Sequence, residues 1–473
     1  MNHRLTRRGM LTACAKLAGV ALGASVLKIR GQSPAPTARR VFDVREFGAI
    51  GDGFTPDTAA IQRAIDAAAS AGRDSQVLLR GGKTYLTGGL ELRNGIEFHL
   101  ADDAELRVST DRNHFAGRTV LSARQAHGLR ITGTGTIDGR SPDFMDHYDS
   151  VEEWWRPKDW RPQLLVLTGC RDLEVSGITF KQAPSWTLHL VGCERVLIDS
   201  VKIKNQLDVP NCDGIDPDHC RDVEIRKCNI SCGDDAIVIK TTRQGANYGA
   251  SSKIRVSDCV IETQDSGVKI GTETTHDISD VRFERCEIKS SCRGMCIQLR
   301  DEGNVSGVEF RDIKFTARYF SAPWWGRGEA FSLTAIPRTP ETKVGAISDV
   351  RFVNITGRAE NTARISGSPQ SRIRGVQLEN VDLTLERWTH YDGGVWDNRP
   401  TTAMPALEKH ATPGFSVRHA DKVSFRDCKL SWGTKVPDDF THALEIENST
   451  AVDHAGLKGE AAHPDRDKAV LGS

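Results

Sequence analysis

Neither sign of charge dominates this 473-residue chain: Lys and Arg total 63, Asp and Glu total 63, and the formal net charge is zero. A general nucleic-acid binder carries a basic excess, so that class is excluded. A large disordered acidic or basic tail is excluded on the same ground. No apolar stretch approaches the ~20 residues of a membrane-spanning helix. The chain has 12 cysteines but no CxxC pair, and the 11 beyond the N-terminal segment are an odd number. Both facts argue against a zinc site or a disulfide framework. What remains, 38% hydrophobic residues plus 43 glycines, is the ordinary composition of a folded soluble protein.

The N-terminus reads as an address. Thr6-Arg7-Arg8-Gly9-Met10-Leu11-Thr12, followed by a small-residue apolar stretch from Leu17 to Leu27, resembles a bacterial twin-arginine export signal over residues 1–30. The resemblance implies folding in the cytoplasm and a periplasmic or secreted destination. Leu11-Thr12-Ala13-Cys14 has the look of a lipidation box but precedes the apolar stretch, and it is discounted. Residues 31–40, rich in Pro, Ser, Ala and Arg, form a linker.

The rest of the chain is repetitive. A pattern of apolar, any, apolar, two polar, one small, β-branched or Cys, any, apolar runs from Leu173 to Phe180. It returns at Val196 to Ile203, Val223 to Ile230, Ile254 to Ile261, Val281 to Ile288 and Val308 to Phe315, and again from Val350, Val376 and Val423. The sixth positions of these nine copies are 23, 27, 31, 27, 27, 42, 26 and 47 residues apart. Each unit alternates with period two and contains no helix-length segment, so the units are strands. Short strands recurring about every 27 residues fit one coil of a parallel β-helix. The two long gaps are expected to hold loops or a coil with a degraded pattern.

Cys228, Cys259, Cys286 and Cys428 share the sixth repeat position with Ile178, Val201, Ile313, Ile355 and Val381, while Cys170, Cys193 and Cys220 each precede a repeat by three residues. Cysteines that interchange with Ile and Val are small core residues. Ahead of the repeat, Val41 to Val44 reads as a strand. Thr55 is a candidate N-cap with Pro56 at the first helical position. Ile61, Ala64, Ile65 and Ala68 form one helical stripe, ended by Gly72. Such a helix caps the open end of a solenoid core. The predicted organisation is thus 41–110 as cap and first coils, 111–450 as the β-helix catalytic domain, and 451–473 as a C-terminal tail.

Register turns the sequence into a surface map, because equivalent residues of successive coils stack ~4.8 Å apart. Aligning Asp213-Gly214-Ile215 with Asp235-Ala236-Ile237 puts Asp213 beside Asp235, followed on the same row by Ser266 and Arg293. Asp216, Lys269 and Cys296 share a second row; Lys240, Gly271 and Gln298 share a third. Asp213, Asp234 and Asp235 therefore crowd one face where two coils meet. Close carboxylates push their pKa values apart, giving one protonated and one ionised group, as glycosidic hydrolysis requires. A solvated turn cluster or a calcium site is the structural alternative.

Asn211-Cys212-Asp213-Gly214-Ile215-Asp216, with Cys232-Gly233-Asp234-Asp235-Ala236 about 20 residues on, resembles the signature of glycoside hydrolase family 28, the polygalacturonase family. Pro184-Ser185-Trp186-Thr187-Leu188-His189 resembles the segment before that signature in exo-type members. Phe47-Gly48-Ala49-Ile50-Gly51-Asp52-Gly53 resembles the opening of many pectin-active β-helix enzymes. The resemblance covers roughly residues 41 to 450. It implies a right-handed β-helix and hydrolysis by inversion, with Asp234 as general acid and Asp213 and Asp235 activating water. An inverting pair stands ~6.5–9.5 Å apart to admit that water. A polysaccharide or oligosaccharide is the expected partner, and no metal or cofactor is called for.

Two family motifs are missing. Ser266 stands where Gly-His-Gly has its His, and Cys296-Ile297-Gln298 replaces Arg-Ile-Lys, the clamp for the galacturonate carboxylate. An Arg–carboxylate pair is a strong oriented contact that Cys and Gln cannot supply, so simple polygalacturonan is not the expected substrate. Candidate substrate contacts are Asn211, Asp216, Lys240, Lys269, Arg293, Gln298 and Arg300; for the cations the alternative is solvated surface charge. Trp324 and Trp325, in the 42-residue gap, are candidate sugar platforms or loop packing. Trp186 reads as either a site residue or a buried turn residue. A polysaccharide lyase on the same fold, or a non-catalytic glycan-binding β-helix, are the competing readings.

Overall fold

The computed structural model describes residues 39–472, so the export-like segment 1–30 and most of the linker lie outside the described residues. The chain winds into a right-handed parallel β-helix. A 25-stranded sheet and a 13-stranded sheet wrap the core, and two small antiparallel pairs, Met145–Asp149 with Trp154–Pro157 and Val395–Asp397 with Leu407–Lys409, project from it. Among the described residues no helix is long and apolar enough to cross a membrane.

The repeat is the coil. First positions of the pattern stack in register: Val223 on Ile254, Val281, Val308, Val350, Val376 and Val423. The fifth position has a left-handed backbone in all nine copies, with φ from 49° at Asp427 to 73° at Gly177. The residue before the first position is also left-handed in all nine. These two kinks turn the chain between strands. Only Gly, and to a lesser degree Asn and Asp, enter that region cheaply, which explains Gly177, Asp258, Asp312, Asn354 and Asn380 at the bend. Their side chains also tie coils together, as Asn354 Nδ2 donates to Asp312 Oδ1 at 2.7 Å and Asn380 Nδ2 to Asn354 Oδ1 at 2.9 Å.

One residue past the bend, the sixth position points into the core. Cys228, Cys259 and Cys286 stack there as buried free thiols. Inside the same tube Phe283, Phe310 and Phe352 stack at ring separations of 5.3 and 5.0 Å. Each such buried side chain contributes about 1.5–3 kcal/mol, so the column adds to the cohesion between coils. Both long gaps are loops inserted within single coils, because the strands flanking them pair directly: Val305–Ala317 with Ile347–Ala359, and Ile373–Leu385 with Ala420–Arg426.

Two expectations change. The cap helix spans Thr58–Ser70 rather than starting at Pro56, and Thr55 and Pro56 end the strand Asp52–Pro56. The physical reason is Asp57, whose carboxylate accepts from the N–H groups of Ile50 and Gly51 at 2.7 and 3.1 Å and so ties the preceding loop to the helix start. The segment 451–473 is more than a tail. Thr450–Asp453, Leu457–Lys458 and Val470–Leu471 each add a parallel strand to the preceding coil.

Candidate active site

The 13-stranded sheet carries the site. Leu188 pairs with Ile215, Ile215 with Ile237, Ile237 with Val268 and Val268 with Met295. The entries to these strands therefore align Asp213, Asp235, Ser266 and Arg293 in one row, the last two as first residues of Ser266–Thr274 and Arg293–Leu299, and Asp234 with Asp265 in the row beside it. One oxygen from each of Asp213, Asp234 and Asp235 lies within 4.8 Å of the others. That is tighter than the spacing expected for an inverting pair. It still admits one water, since two O–H···O bonds of ~2.7 Å span about 5 Å. Such a group of oxygens is close enough to gather a cation, but an ammonium group already sits on one of the three carboxylates.

That ammonium is Lys269, whose Nζ donates to Asp235 Oδ2 at 2.7 Å in a fully enclosed pair. The Ser266 N–H donates to the other oxygen at 3.3 Å. Burial acts to raise the Asp235 pKa, but Lys269 and then Lys240 outweigh it and hold the carboxyl below its usual range. Asp234 differs. Burial first, then the charges of Asp213 and Asp235, push it up to about 7. It accepts from the N–H of Asn211 at 3.0 Å and from its neighbour's N–H at 2.9 Å. Asp213 is raised well above the ordinary value by burial and by Asp216. One acid is thus poised to keep a proton near neutrality beside one that stays ionised.

Asn211 is held from behind. Its left-handed backbone (φ 56°) sits where Arg161 Nη2 donates to its Oδ1 at 2.7 Å, while Nη1 donates to the carbonyls of Pro184 and Pro210. Lys240 stands 3.7 Å from Asp213, 3.7 Å from Asp216 and 3.6 Å from Glu273, with its Nζ 4.4 Å from the Trp186 ring centre. Asp216 lies fully enclosed beneath, pushed up to about 8 by burial. The acids floor a cleft of about 460 Å³ walled by Trp154, Trp186, Trp324 and Trp325. Trp154 packs edge-on against Trp324 at 5.7 Å, and Lys269 Nζ is 5.9 Å from the Trp325 ring centre. A larger hollow of 680 Å³ lies along the other sheet. Its lining charges pair with one another, as Arg195 does with Asp172 at 2.7 Å.

Four expected substrate contacts are corrected. Arg293, Gln298 and Arg300 lie on the next coil but are enclosed beneath the insertion 386–413. Three successive carbonyls of that strap, of Asp397, Asn398 and Arg399, accept from Arg293 at 3.2 Å, Arg300 at 3.1 Å and Gln298 at 3.0 Å. Asp216 lies below the cleft floor rather than in it. Conversely, sequence reasoning missed Asp265 and Glu273, and it left Trp186 undecided. Asp265 was readable, since it precedes Ser266 as Asp234 precedes Asp235.

Stacked carboxylates flooring a tryptophan-walled cleft on a parallel β-helix define a carbohydrate-cleaving enzyme. The family described as Glycosyl hydrolases family 28 matches residues 75–391, and the chain belongs to it. A probable polygalacturonase of Vitis vinifera is 28% identical over 371 residues, covering 72% of this chain and 73% of that protein. A probable endo-xylogalacturonan hydrolase A of Aspergillus niger is 28% identical over 281 residues, covering 56% of this chain and 65% of that protein. Among solved structures, the family 28 exopolygalacturonase of Yersinia enterocolitica shares the fold with a TM-score of 0.69 at 18% identity, covering 89% of this chain and 79% of that one. The chain is a glycoside hydrolase.

Proposed function

We propose that this hydrolase works by inversion on a pectin-related or other plant or algal glycan distinct from simple polygalacturonan. Asp234 protonates the leaving oxygen. Asp235, ionised against Lys269, takes the proton of the attacking water, and Asp213 on the facing coil helps to hold that water in place. The observation that carries the reading is the convergence of these three carboxylates within 4.8 Å, with one of them neutralised by a lysine. Three part-exposed cleft tryptophans (Trp154, Trp186 and Trp325, with Trp324 buried behind them as loop packing), and two lysines already engaged by acids, favour an uncharged sugar at the point of cleavage. The substituted galacturonan in the name of the Aspergillus relative agrees with a substrate other than simple polygalacturonan. The lyase reading needs a free Lys or Arg base, and Lys240 and Lys269 are both paired with carboxylates. The twin-arginine-like segment supports export to the periplasm or beyond.

The test is Asp234→Asn on a glycan the wild type cleaves. Turnover is expected to fall by ~10²–10⁴-fold with little change in affinity, and NMR of fresh product is expected to show the anomer opposite to the substrate's. Unchanged turnover refutes the acid assignment, and a retained anomer refutes inversion.

A further inference from the structure

Three enclosed arginines meet beneath the strap. Arg293 opens the strand Arg293–Leu299 and Arg300 follows it, while Arg364 lies two coils further on, in Ala363–Ser366. The strand between them, Glu329–Ala335, stacks Ser332 on Cys296 and carries Arg364 on Ser332. All three guanidiniums converge on two consecutive strap residues. Arg293 Nη2 donates to the Asp397 carbonyl at 3.2 Å, Arg300 Nη2 to the Asn398 carbonyl at 3.1 Å and Arg364 Nη2 to Asn398 Oδ1 at 2.7 Å. None of the three arginines is more than 1% exposed.

The carboxylates around them are engaged elsewhere. Asp397 pairs with Arg399 at 2.6 Å, Glu408 with Arg418 at 2.8 Å and Asp301 with Arg338 at 2.8 Å. Glu329 is left for Arg293, at 3.9 Å. Asp265, the other acid near Arg293, is itself raised well above the ordinary range by burial, and brings little charge. Among the described residues, Arg300 and Arg364 have no carboxylate within 4.0 Å. Burial, then the neighbouring Arg293, pushes Arg300 down to about 9, and burial pushes Arg364 down to about 10. Both stay charged at neutral pH. The Trp396 ring, 4.3 Å from the Arg364 guanidinium carbon, offsets one of these charges in part. A buried charge with no partner is far more costly than a buried dipole with none.

Hydrogen bonding points the same way. Five guanidinium nitrogens have no acceptor: Nε and Nη1 of Arg293, Nε of Arg300, and Nε and Nη1 of Arg364. The Ser332 hydroxyl, one coil from Arg364, has no partner either. In the same strands the unpartnered acceptors are only Gln298 Oε1 and Glu329 Oε1. Buried groups of this kind call for a bound water or ion. Water takes such donors but leaves the charge in place.

We infer that Arg300, Arg364 and the Ser332 hydroxyl bind a small monovalent anion of the halide class beneath the strap, and that this ion locks the strap onto the coils. Guanidinium groups are weakly hydrated and suit a buried anion. The enclosure excludes a sugar acid, and a divalent anion costs more to strip of water. The inference is independent of which glycan the cleft cuts.

The test uses the full chain in urea, with chloride replacing bulky gluconate at constant ionic strength, so that screening is equal in all arms. One ion held only by the folded chain is expected to lower the unfolding equilibrium constant about tenfold for each tenfold rise in chloride above its dissociation constant. Crystals grown in bromide are expected to show an anomalous-scattering peak within hydrogen-bond reach of Arg300 and Arg364. Arg364→Met is expected to abolish the chloride dependence; where that variant does not fold, the wild-type measurements decide alone. No bromide at these arginines means that water alone fills the space, and overturns the proposal. Bromide that binds there while urea unfolding ignores chloride is an adventitious ion only, and overturns it too, as does a chloride dependence that survives Arg364→Met unchanged.

Discussion

At the scale of single residues, environment divides labour among like carboxyls. Asp234, at about 7 against an ordinary 3.8, keeps its proton in the folded chain across a range where the unfolded chain has released it. Stability contributed by this group is therefore present at acid pH and lost as pH rises from about 4 through about 7. Asp234→Asn is expected to raise the melting temperature relative to wild type at pH 8, with the gain vanishing near pH 4. The rate should follow the same proton: kcat/KM is expected to fall on the alkaline side near pH 7, and an alkaline limb far above that value sinks the assignment. Lys269 is the second decisive residue. It and Asp235 are both buried, and removing one partner of a buried ion pair leaves an uncompensated charge. Lys269→Met is expected to cost ~3–5 kcal/mol in denaturant unfolding and to move the acid limb of the rate profile upward, because burial then acts on Asp235 against only the weaker pull of Lys240 and the Ser266 N–H. Adding Asp235→Asn should recover part of the lost stability but none of the activity.

At the scale of the coil, the sixth position explains both the cysteines and the limits of reading them. Cys228, Cys259 and Cys286 interchange with Ile and Val because the site is a small apolar slot. Yet each thiol also donates to the carbonyl two residues earlier, Cys259 to Ser257 at 3.2 Å for example. A serine hydroxyl inherits that acceptor, so Cys259→Ser should cost about 1 kcal/mol, the low end of the penalty for a buried hydroxyl. Cys259→Val should stay within ~1.5 kcal/mol. Equilibrium unfolding checks both, and a loss above ~3 kcal/mol for Val would mean the slot is shaped for sulfur. The coil was legible because period-two strands of fixed length leave little freedom in register. The row from Asp213 through Asp235 and Ser266 to Arg293 follows by counting. What covers that row was not legible. The strap 386–413 has no period, and its hold on the groove depends on three backbone carbonyls, whose positions no side-chain pattern encodes. For the same reason Arg293 and Arg300 look like groove residues in sequence and are enclosed in the folded chain.

At the scale of the whole molecule, insertions from distant coils meet above one face. The hairpin Met145–Pro157 brings Trp154 onto Trp324 from the first long loop, and Glu153 accepts from the Tyr391 hydroxyl of the strap. The strap is itself pinned to that loop, where the Gly326 N–H donates to Asp397 Oδ2 at 2.9 Å and Arg399 reaches the Trp324 carbonyl at 2.8 Å. A parallel β-helix has an open groove along its length, so closure at Arg293 has to come from these inserted segments. The resulting cleft has the strap over the coil on one side of it, held there by Arg293, Gln298 and Arg300. A chain that can lie in it only with one end against the strap is cut near that end. During digestion of a long glycan, short products are expected to accumulate in proportion to the reducing ends formed, while the mean length of the remaining polymer falls slowly. Chemically blocking the chain ends should stop the reaction. An early collapse of viscosity with few ends released would show that the strap lifts and that the groove runs through.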